Sequence, residues 1–492
     1  MTMKRSSGIL MPIFSLPSPY GIGTLGKAAY DFADFLHEAG QSYWQMLPLG
    51  PTSYGDSPYQ SFSTYAGNPY FIDLDMLIKD KLLTKQEVNA GYWGTEPRYV
   101  DYAAIYESRF KLLALAKARG WKRDEKAIAA FVEANERWLP DYALYMACKR
   151  HFGMQAWYDW DDEDIRMRKS PEVLDAYRKM LNEDLELFIY IQFLFYQQWD
   201  ALREYIHSLG IQIIGDLPIY VAMDSADVWA EPQFFQLDES YKPNAVAGVP
   251  PDYFSEDGQL WGNPLYRWDT MEKDGFGWWI RRVDGAGKLF DVIRIDHFRA
   301  FESYWAVPCG EKTAKNGKWI KGPGMKLIGT LLNWFPQLEF IAEDLGIITP
   351  AVAELLEESK LPGMKVLEFA FNADEPSAYL PHNHVENCIC YTGTHDNSPL
   401  ALWLQEEPEE NLAFAKEYLA TEELHWAILR CGMRSVANLF VAQLQDYLEL
   451  GAGHRINTPG QPSGNWQWRL LPHEASNPLA KKINKLTKMY ER

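Results

Sequence analysis

Residues 291–301 read DVIRIDHFRAF and combine a short apolar run with charged and polar side chains at its end. A β-branched run of this length is typical of a buried strand in a parallel sheet. Because alternate residues of a strand point to the same side, Arg294 and Asp296 share one face. The stretch therefore predicts a strand that brings an arginine and a carboxylate together at its carboxyl end.

Seven further runs have the same character, and amphipathic segments separate several of them. In residues 28–40, for example, Phe32, Phe35 and Leu36 lie on one helical face, and Gly40 is a stop signal. Strands that alternate with helices imply a parallel sheet, and eight of them imply a closed barrel. The predicted fold is α/β, a (β/α)8 TIM barrel. The seven other candidate strands are 8–14, 42–49, 211–221, 337–346, 363–371, 388–397 and 435–446.

Two intervals between candidate strands are too long for one helix and its loops. Residues 75–205, after the second strand, carry helical spacing and are expected to form a mostly helical insertion. Residues 222–290, after the third strand, are expected to form a loop-rich insertion that covers the active site, because residues 229–268 hold nine aromatics and five prolines. We interpret residues 1–492 as one catalytic barrel domain.

Charge and cysteine content restrict the partners and the compartment. The chain has 67 acidic against 48 basic residues, a net charge of −19, which disfavours nucleic acid and anionic membranes as partners. The longest apolar run, residues 187–196, is interrupted by Gln192 and is shorter than the roughly 20 residues of a membrane span. Five scattered cysteines, an odd number, favour a reducing compartment, and we expect a cytoplasmic protein.

Three carboxylates follow candidate barrel strands: Asp296, Glu343 and Asp396. The carboxyl ends of barrel strands form one ring, so these side chains are expected to converge. Paired carboxylates beside aromatic residues suit glycosidic bond chemistry, in which one group is ionised and the other donates a proton. Arg294 is expected to keep Asp296 anionic, which leaves Glu343 as the acid. The residues alone leave open whether the reaction retains or inverts, and whether it is hydrolysis or transfer.

Two other patterns point to different classes of site. Gly21, Gly23 and Gly26 form a GxGxxG pattern that could hold a dinucleotide, although the following strand lacks the acidic residue expected to bind a ribose. Residues 382–390 contain two histidines and two cysteines that could bind zinc. A glycine turn before the first helix and buried strand cysteines explain both patterns more simply. We expect neither a metal nor a cofactor.

Several long segments of the sequence resemble one enzyme family, the bacterial 4-α-glucanotransferases (amylomaltases or disproportionating enzymes) of the α-amylase superfamily. The match runs through nearly the whole chain, with Ala300 as a small departure where the family more often has Gly. The matching segments are SPYGIGTLG (18–26), GDSPYQSFSTYAGNPYFIDL (55–74), GDLPIYVAMDSADVWA (215–230), AGVPPDYFSEDGQLWGNP (247–264), RIDHFRAFESYWAVP (294–308), AEDLG (342–346), GMKVLEFAF (363–371), TGTHDN (392–397) and GNWQWR (464–469).

The resemblance implies a retaining double displacement on α-1,4-glucans, with Asp296 as the nucleophile and Glu343 as the acid and then the base. Asp396 would bind ring hydroxyls and support the transition state. The expected partners are maltooligosaccharides, amylose or other α-1,4-glucans, with glucose as an acceptor. A hydrolase of the same superfamily remains the alternative, and a non-catalytic glucan-binding protein is a more distant one. The residues expected to bind substrate are Tyr59, Asp216, Arg294, His395, Trp261 and Ser57, with Tyr54 at a second glucan site.

Overall fold

Eight parallel strands form a ring whose neighbours are paired in the order β10-β11-β12-β1-β2-β3-β6-β9. The computed structural model describes residues 3–53, 55–251, 255–346, 348–461 and 463–492. The predicted TIM barrel is therefore confirmed: seven of the candidate strands contain a barrel strand, and the first, 8–14, overlaps β1, which begins two residues earlier, at Ser6. The barrel strands are β1 (Ser6–Leu10), β2 (Tyr43–Gln45), β3 (Gln212–Leu217), β6 (Val292–Ile295), β9 (Glu339–Ala342), β10 (Gly363–Val366), β11 (Cys388–Tyr391) and β12 (Leu439–Gln443).

Helices surround this ring and fill the long intervals between its strands. In the described parts of the chain they are α1 (Lys27–Glu38), α2 (Leu74–Lys79), α3 (Lys85–Asn89), α4 (Tyr102–Gly120), α5 (Glu125–Ala134), α6 (Leu139–His151), α7 (Glu163–Arg166), α8 (Pro171–Met180), α9 (Asn182–Ser208), α10 (Ala226–Ala230), α11 (Trp268–Lys273), α12 (Gly277–Leu289), α13 (Met325–Trp334), α14 (Pro350–Ser359), α15 (Leu400–Glu406), α16 (Glu409–Leu419), α17 (Leu424–Arg434), α18 (Leu444–Tyr447) and α19 (Asn477–Met489). No helix among the described residues is long and apolar enough to span a membrane.

Helices α2 to α9 lie between β2 and β3, and two buried glutamines connect α9 to the segment between β2 and α2. Gln192 accepts the N–H of Gly67 at 2.7 Å and donates to its carbonyl at 2.9 Å. Gln198 makes the same pair of bonds with the backbone of Asp73. The polar residue that interrupts the apolar run 187–196 therefore satisfies backbone groups that would otherwise be buried without partners.

Residues 222–290 contain more regular structure than the loop-rich segment expected from their composition. Strands β4 (Ala245–Val249) and β5 (Gln259–Pro264) pair with β7 (Ser303–Pro308) and β8 (Lys318–Lys321) in a second, antiparallel sheet ordered β5-β4-β7-β8. The central pairing joins β4 to β7, which lies beyond barrel strand β6 in the chain. Such a non-local partner leaves no periodic signal in the local sequence, so composition alone suggested loops.

The glycines of the GxGxxG pattern allow close packing at the start of α1. A Cβ on Gly23 would lie 1.8 Å from the carbonyl oxygen of Ile13, and one on Gly26 would lie 2.1 Å from the carboxylate of Asp73. Thr24 also donates to that carboxylate, at 2.7 Å. The protein's own carboxylate therefore lies at the helix start where the dinucleotide hypothesis would place a phosphate.

Strands β9 and β10 are joined by individual hydrogen bonds instead of a continuous ladder. The N–H of Ala342 donates to the carbonyl of Pro362 at 2.9 Å, and the N–H of Met364 donates to Oδ1 of Asp344 at 2.6 Å. A Cβ on Gly363 would come within 2.6 Å of the Asp344 carboxylate. The absence of a side chain at Gly363 therefore allows this part of the ring to close.

We expect Gly363→Ala to destabilise the protein by about 1–3 kcal/mol, because the added methyl group displaces Asp344 and strains the β9–β10 junction. Gly329→Ala is the matched control, since Gly329 lies in helix α13 with no atom within 4 Å of the added Cβ. That change should be neutral or slightly stabilising. Thermal unfolding of the two variants beside the parent chain measures the difference, and equal melting temperatures would contradict this account of closure.

Candidate active site

Two of the three predicted carboxylates directly follow adjacent barrel strands. Asp296 comes after β6 and Glu343 after β9, and these strands pair in parallel register. Their backbones extend the ladders beyond the strands, since the N–H of Asp296 donates to the carbonyl of Leu217 at 3.1 Å and that of Glu343 to Ile295 at 3.0 Å. The register therefore places both carboxyl groups at the mouth of the barrel, as predicted.

A buried arginine connects the barrel interior to Asp296. Nη1 of Arg294 donates to both carboxylate oxygens of Asp216 at 2.7 Å and to Oδ1 of Asp296 at 3.1 Å. Arg294 and Asp216 are direct partners in the β3–β6 ladder. Their side chains are 3% and 0% exposed, whereas that of Asp296 is 28% exposed. The ion pair of Arg294 with Asp216 therefore lies inside the barrel, and the carboxylate of Asp296 lies at the surface of the cleft.

Tyr59 and His395 complete the surroundings of Asp216. The hydroxyl of Tyr59 donates to Oδ2 of Asp216 at 2.6 Å and lies 3.0 Å from Nε2 of His395. The Tyr59 and His395 rings stack with centroids 5.2 Å apart. Because the tyrosine proton is directed to Asp216, Nε2 of His395 has to be the donor in the second bond. Ser57 supports this arrangement, since its Oγ accepts the N–H of Tyr59 at 3.2 Å.

Backbone N–H groups hold both oxygens of Glu343. The N–H of His297 donates to Oε2 at 2.7 Å, and the N–H of Leu345 donates to Oε1 at 2.8 Å. His297 adopts a left-handed conformation with φ of 54°. The edge of its ring contacts Trp261 of β5, with centroids 4.9 Å apart and the planes at 85°. The second sheet therefore brings Trp261 to the same cleft as the carboxylates.

The pKa values of Asp296 and Glu343 do not depend on Arg294 alone, contrary to what the sequence led us to expect. Burial raises the pKa of Asp296 well above its ordinary value, and Asp216 and Glu343 raise it further, while Arg294 lowers it. Burial also raises the pKa of Glu343, although Arg294 and the two backbone donors oppose the shift. Two neighbouring carboxyl groups with raised pKa values share one proton, and they retain it to a higher pH than two separate, exposed carboxyl groups would.

Asp396 lies in a turn beyond β11 instead of at the strand end. Nδ2 of Asn457 donates to its Oδ1 at 2.6 Å, and Nε2 of His395 lies 3.3 Å from the same oxygen. The Asp396 side chain is 44% exposed. Asn457 gives no signal of a site in the sequence, because an Asn in RINTPG has the signature of an ordinary turn residue.

The ring of Trp466 also belongs to this cleft, although nothing in the sequence distinguishes it from the rest of the GNWQWR segment. Its centroid lies 5.6 Å from that of Tyr59 and 6.0 Å from that of His395. The structure thus unites every predicted site residue except Tyr54, which lies outside the described residues. Two carboxyl groups, an arginine and aromatic walls at one cleft suit the cleavage of a glycosidic bond.

The histidines and cysteines of residues 382–390 have other partners. Nε2 of His384 lies 2.8 Å from the carbonyl of Tyr379, and Nδ1 of His382 lies 2.9 Å from the hydroxyl of Tyr418. The thiol of Cys388 donates to the carbonyl of Val385. Within the described ranges, no group of three or more His, Cys, Asp or Glu side chains is placed to hold a metal ion.

Comparisons with known proteins agree with this geometry. The sequence profile of a family described as 4-alpha-glucanotransferase matches residues 11–474. A 4-alpha-glucanotransferase of Clostridium butyricum is 47% identical, covering 98% of this chain and 100% of the relative, and one of Thermus thermophilus is 47% identical over 100% of both. The solved structure of an amylomaltase from Streptococcus agalactiae in complex with acarbose has a TM-score of 0.97 at 42% identity, covering 99% of this chain and 100% of that one.

We expect His297 to stay neutral between pH 8 and 5, and His395 to take up a proton only below its ordinary pKa. Burial lowers the pKa of His297 to about 3 and also lowers the pKa of His395. The unfolded chain would bind protons at these positions below about pH 6.5, so both histidines reduce the free energy of unfolding as the pH falls. NMR of selectively labelled histidines, assigned with His297→Gln and His395→Gln, checks the prediction. A titration near pH 6.5 at either residue would contradict it.

Proposed function

Because the chain belongs to the 4-α-glucanotransferase family, it is an enzyme that transfers segments of α-1,4-glucan, and we propose that its cleft performs this transfer by a retaining double displacement. Its substrates are α-glucans. The observation that carries the proposal is the ion pair of Arg294 with Asp296 beside a second carboxyl group, Glu343, that can donate a proton.

Asp296 is the proposed nucleophile. Arg294 holds its Oδ1, so we assign Oδ2 to the attack on the anomeric carbon of the donor sugar. The bond from that carbon to the glycosidic oxygen breaks, and the leaving oxygen takes a proton from Glu343. The product is a β-linked glycosyl ester on Asp296. In the second step the acceptor 4-hydroxyl gives its proton to Glu343 and attacks the same carbon, which releases the Asp296 carboxylate.

Glu343 is the proposed acid because, of the two carboxyl groups that share a proton, it holds that proton better than Asp296 does. Both Asp296 and Glu343 have raised pKa values. Of these two, Asp296 alone accepts a hydrogen bond from the Arg294 guanidinium among the contacts described. That ion pair favours the anionic form of Asp296 and leaves the proton on Glu343. Backbone donation from His297 and Leu345 fixes the orientation of the Glu343 carboxyl group during both steps.

The remaining polar groups are proposed to bind the sugar at the cleaved bond. Tyr59, His395 and Asp396 present acceptors and donors along one side of the cleft, and a sugar ring needs such partners for its hydroxyls. Asp216, which the sequence predicts to bind the sugar, is instead proposed to hold Tyr59 from inside the barrel, because its side chain is 0% exposed and both of its oxygens accept from Arg294. Trp261 offers an apolar face on which a pyranose can stack. Maltooligosaccharides, amylose and other α-1,4-glucans are the proposed donors, with glucose as an acceptor. Ser57 supports Tyr59, and Tyr54 belongs to a proposed second glucan site.

Transfer in place of hydrolysis requires that water be kept from the glycosyl ester while the acceptor binds. We assign this role to the segments 75–205 and 222–290 of a single catalytic domain. The second segment places Trp261 against His297. From the first, the hydroxyl of Tyr102 in α4 donates to the carbonyl of Trp466 at 2.8 Å. Trp466 in turn packs on Tyr59, so both segments contribute to the walls of the cleft.

A cytoplasmic location is proposed from the state of the cysteines. All five are free, and four of them are buried. Burial raises the pKa of each of these four thiols, which keeps them protonated and unreactive. Such thiols are compatible with a reducing compartment. Cell fractionation with antibody detection tests the location, and recovery outside the cytoplasmic fraction would refute it.

Maltotriose given as the sole substrate should yield glucose together with maltopentaose and longer chains, resolved by chromatography. Asp296→Asn should reduce this activity by more than about 10⁴-fold, because no carboxylate remains to form the ester. Asp284→Asn is the control, since this side chain on α12 is 60% exposed. Release of glucose and maltose without longer products would instead identify a hydrolase, and an active Asp296→Asn variant would refute the assigned nucleophile.

We expect Glu343→Gln to slow transfer from maltotriose by about 10²- to 10⁴-fold, because the leaving oxygen then lacks a proton donor. Maltotriosyl fluoride, whose leaving group needs no proton, should still glycosylate the variant, and the ester should accumulate and be visible by mass spectrometry. With wild-type protein, kcat/KM for maltotriose should fall as the pH rises through the raised pKa of Glu343. Asp296→Asn/Glu343→Gln is the negative control and should form no adduct. If Glu343→Gln also formed none, the proposed roles of Asp296 and Glu343 would be contradicted.

A further inference from the structure

The turn that carries Asp396 is held by a loop from another part of the chain. Nη2 of Arg455 donates to the carbonyl of Asp396 at 2.8 Å, and Nη1 donates to Oγ of Ser398 at 2.8 Å. The backbone N–H of Asn457 donates to the carbonyl of His395 at 3.1 Å. Residues 455–457 therefore hold this turn by two hydrogen bonds to its backbone, at His395 and Asp396, and by one to the Ser398 side chain.

The Asn457 side chain then determines how the carboxylate itself is turned. Its Nδ2 donates to Oδ1 of Asp396 at 2.6 Å, and His395 approaches the same oxygen with Nε2 at 3.3 Å. Asn457 donates to Oδ1 and His395 lies beside the same oxygen, while 44% of the side chain remains exposed to the cleft. The second oxygen, Oδ2, is therefore the one available to a ligand.

Packing keeps the 455–457 segment in place. The N–H of Trp466 donates to the carbonyl of Ile456 at 2.7 Å, and Trp466 has a left-handed φ of 62°. A tryptophan in this conformation is costly unless surrounding contacts stabilise it. Its ring lies against Tyr59 and His395, and these contacts hold the loop at the cleft.

We propose that Asn457 is a positioning residue for Asp396, which occupies one carboxylate oxygen and directs the other toward the sugar. The inference rests on the proposed function, in which Asp396 binds ring hydroxyls and supports the transition state. The Asn457 amide donates a hydrogen bond to the Asp396 carboxylate, and the amide itself carries no charge and does not titrate. A misplaced binding group lowers the rate of the chemical step even when the substrate still binds.

Asn457→Asp provides the decisive test because it keeps the shape of the side chain and replaces a donor by a carboxyl group. At neutral pH the two facing carboxylates should repel each other and turn Asp396 away, lowering kcat by about 10- to 100-fold with a smaller change in KM. At acid pH a proton shared by the pair restores a hydrogen bond, so kcat relative to wild type should recover. Asn457→Ala should show a loss that does not recover at acid pH.

Asn465→Asp is the matched control from the same loop. Asn465 bonds the loop backbone, accepting from the N–H of Thr458 at 2.8 Å and donating to the carbonyl of Gln461 at 2.9 Å. We expect its kcat to stay within about twofold of wild type and to show no acid recovery, and melting temperatures of all variants report on folding.

An unchanged kcat in Asn457→Asp, a loss confined to KM, or a loss that is the same at every pH would overturn the positioning role. Asp396→Asn separates this outcome from failure of the proposed function. If that variant keeps full kcat, Asp396 has no part in the reaction and the premise fails. If Asp396→Asn is impaired while Asn457→Asp behaves like Asn465→Asp, the premise stands and the inference about Asn457 alone is refuted.

Discussion

The buried ion pair between Arg294 and Asp216 is the interaction on which the rest of the site depends. A guanidinium at 3% exposure requires compensation, since an unpaired buried charge costs several kcal/mol. The compensation comes from two adjacent strands whose register places the arginine opposite Asp216. The ring of strands thus holds the Arg294 cation beneath the cleft. There it binds Asp296, and water screens its charge only weakly.

From this cation, hydrogen bonds extend to the cleft in two directions. Asp216 accepts the hydroxyl proton of Tyr59, so the second Tyr59 bond takes its proton from Nε2 of His395, which lies beside Asp396. In the other direction Arg294 bonds Asp296, and its charge also lowers the pKa of Glu343, whose orientation depends on backbone groups. Charge inside the barrel and hydrogen-bond direction at its mouth are therefore coupled, and a change at one carboxyl group alters the proton affinity of the others.

Enclosure of the cleft has a different physical origin. Trp261 reaches it from an antiparallel sheet, and Trp466 from a loop that is tied to the start of α4. Aromatic rings supply apolar surface for sugars and exclude water at the same time. Segments distant from the barrel strands in sequence thus provide the surroundings in which an ester intermediate would persist long enough to meet an acceptor.

The sequence by itself determined the barrel and the main carboxylates. Strand periodicity is local, and the order of elements in a (β/α)8 barrel forces strand ends such as Asp296 and Glu343 to converge, so both followed from the pattern. Tertiary structure alone decided what depends on non-local contacts: the pairing of β4 with β7, the closure of the ring at Gly363, and the bond from Asn457 to Asp396. It also decided the pKa values of the carboxyl groups, because burial, the largest cause that raises the pKa of both Asp296 and Glu343, is a property of the folded cleft and leaves no mark in the sequence.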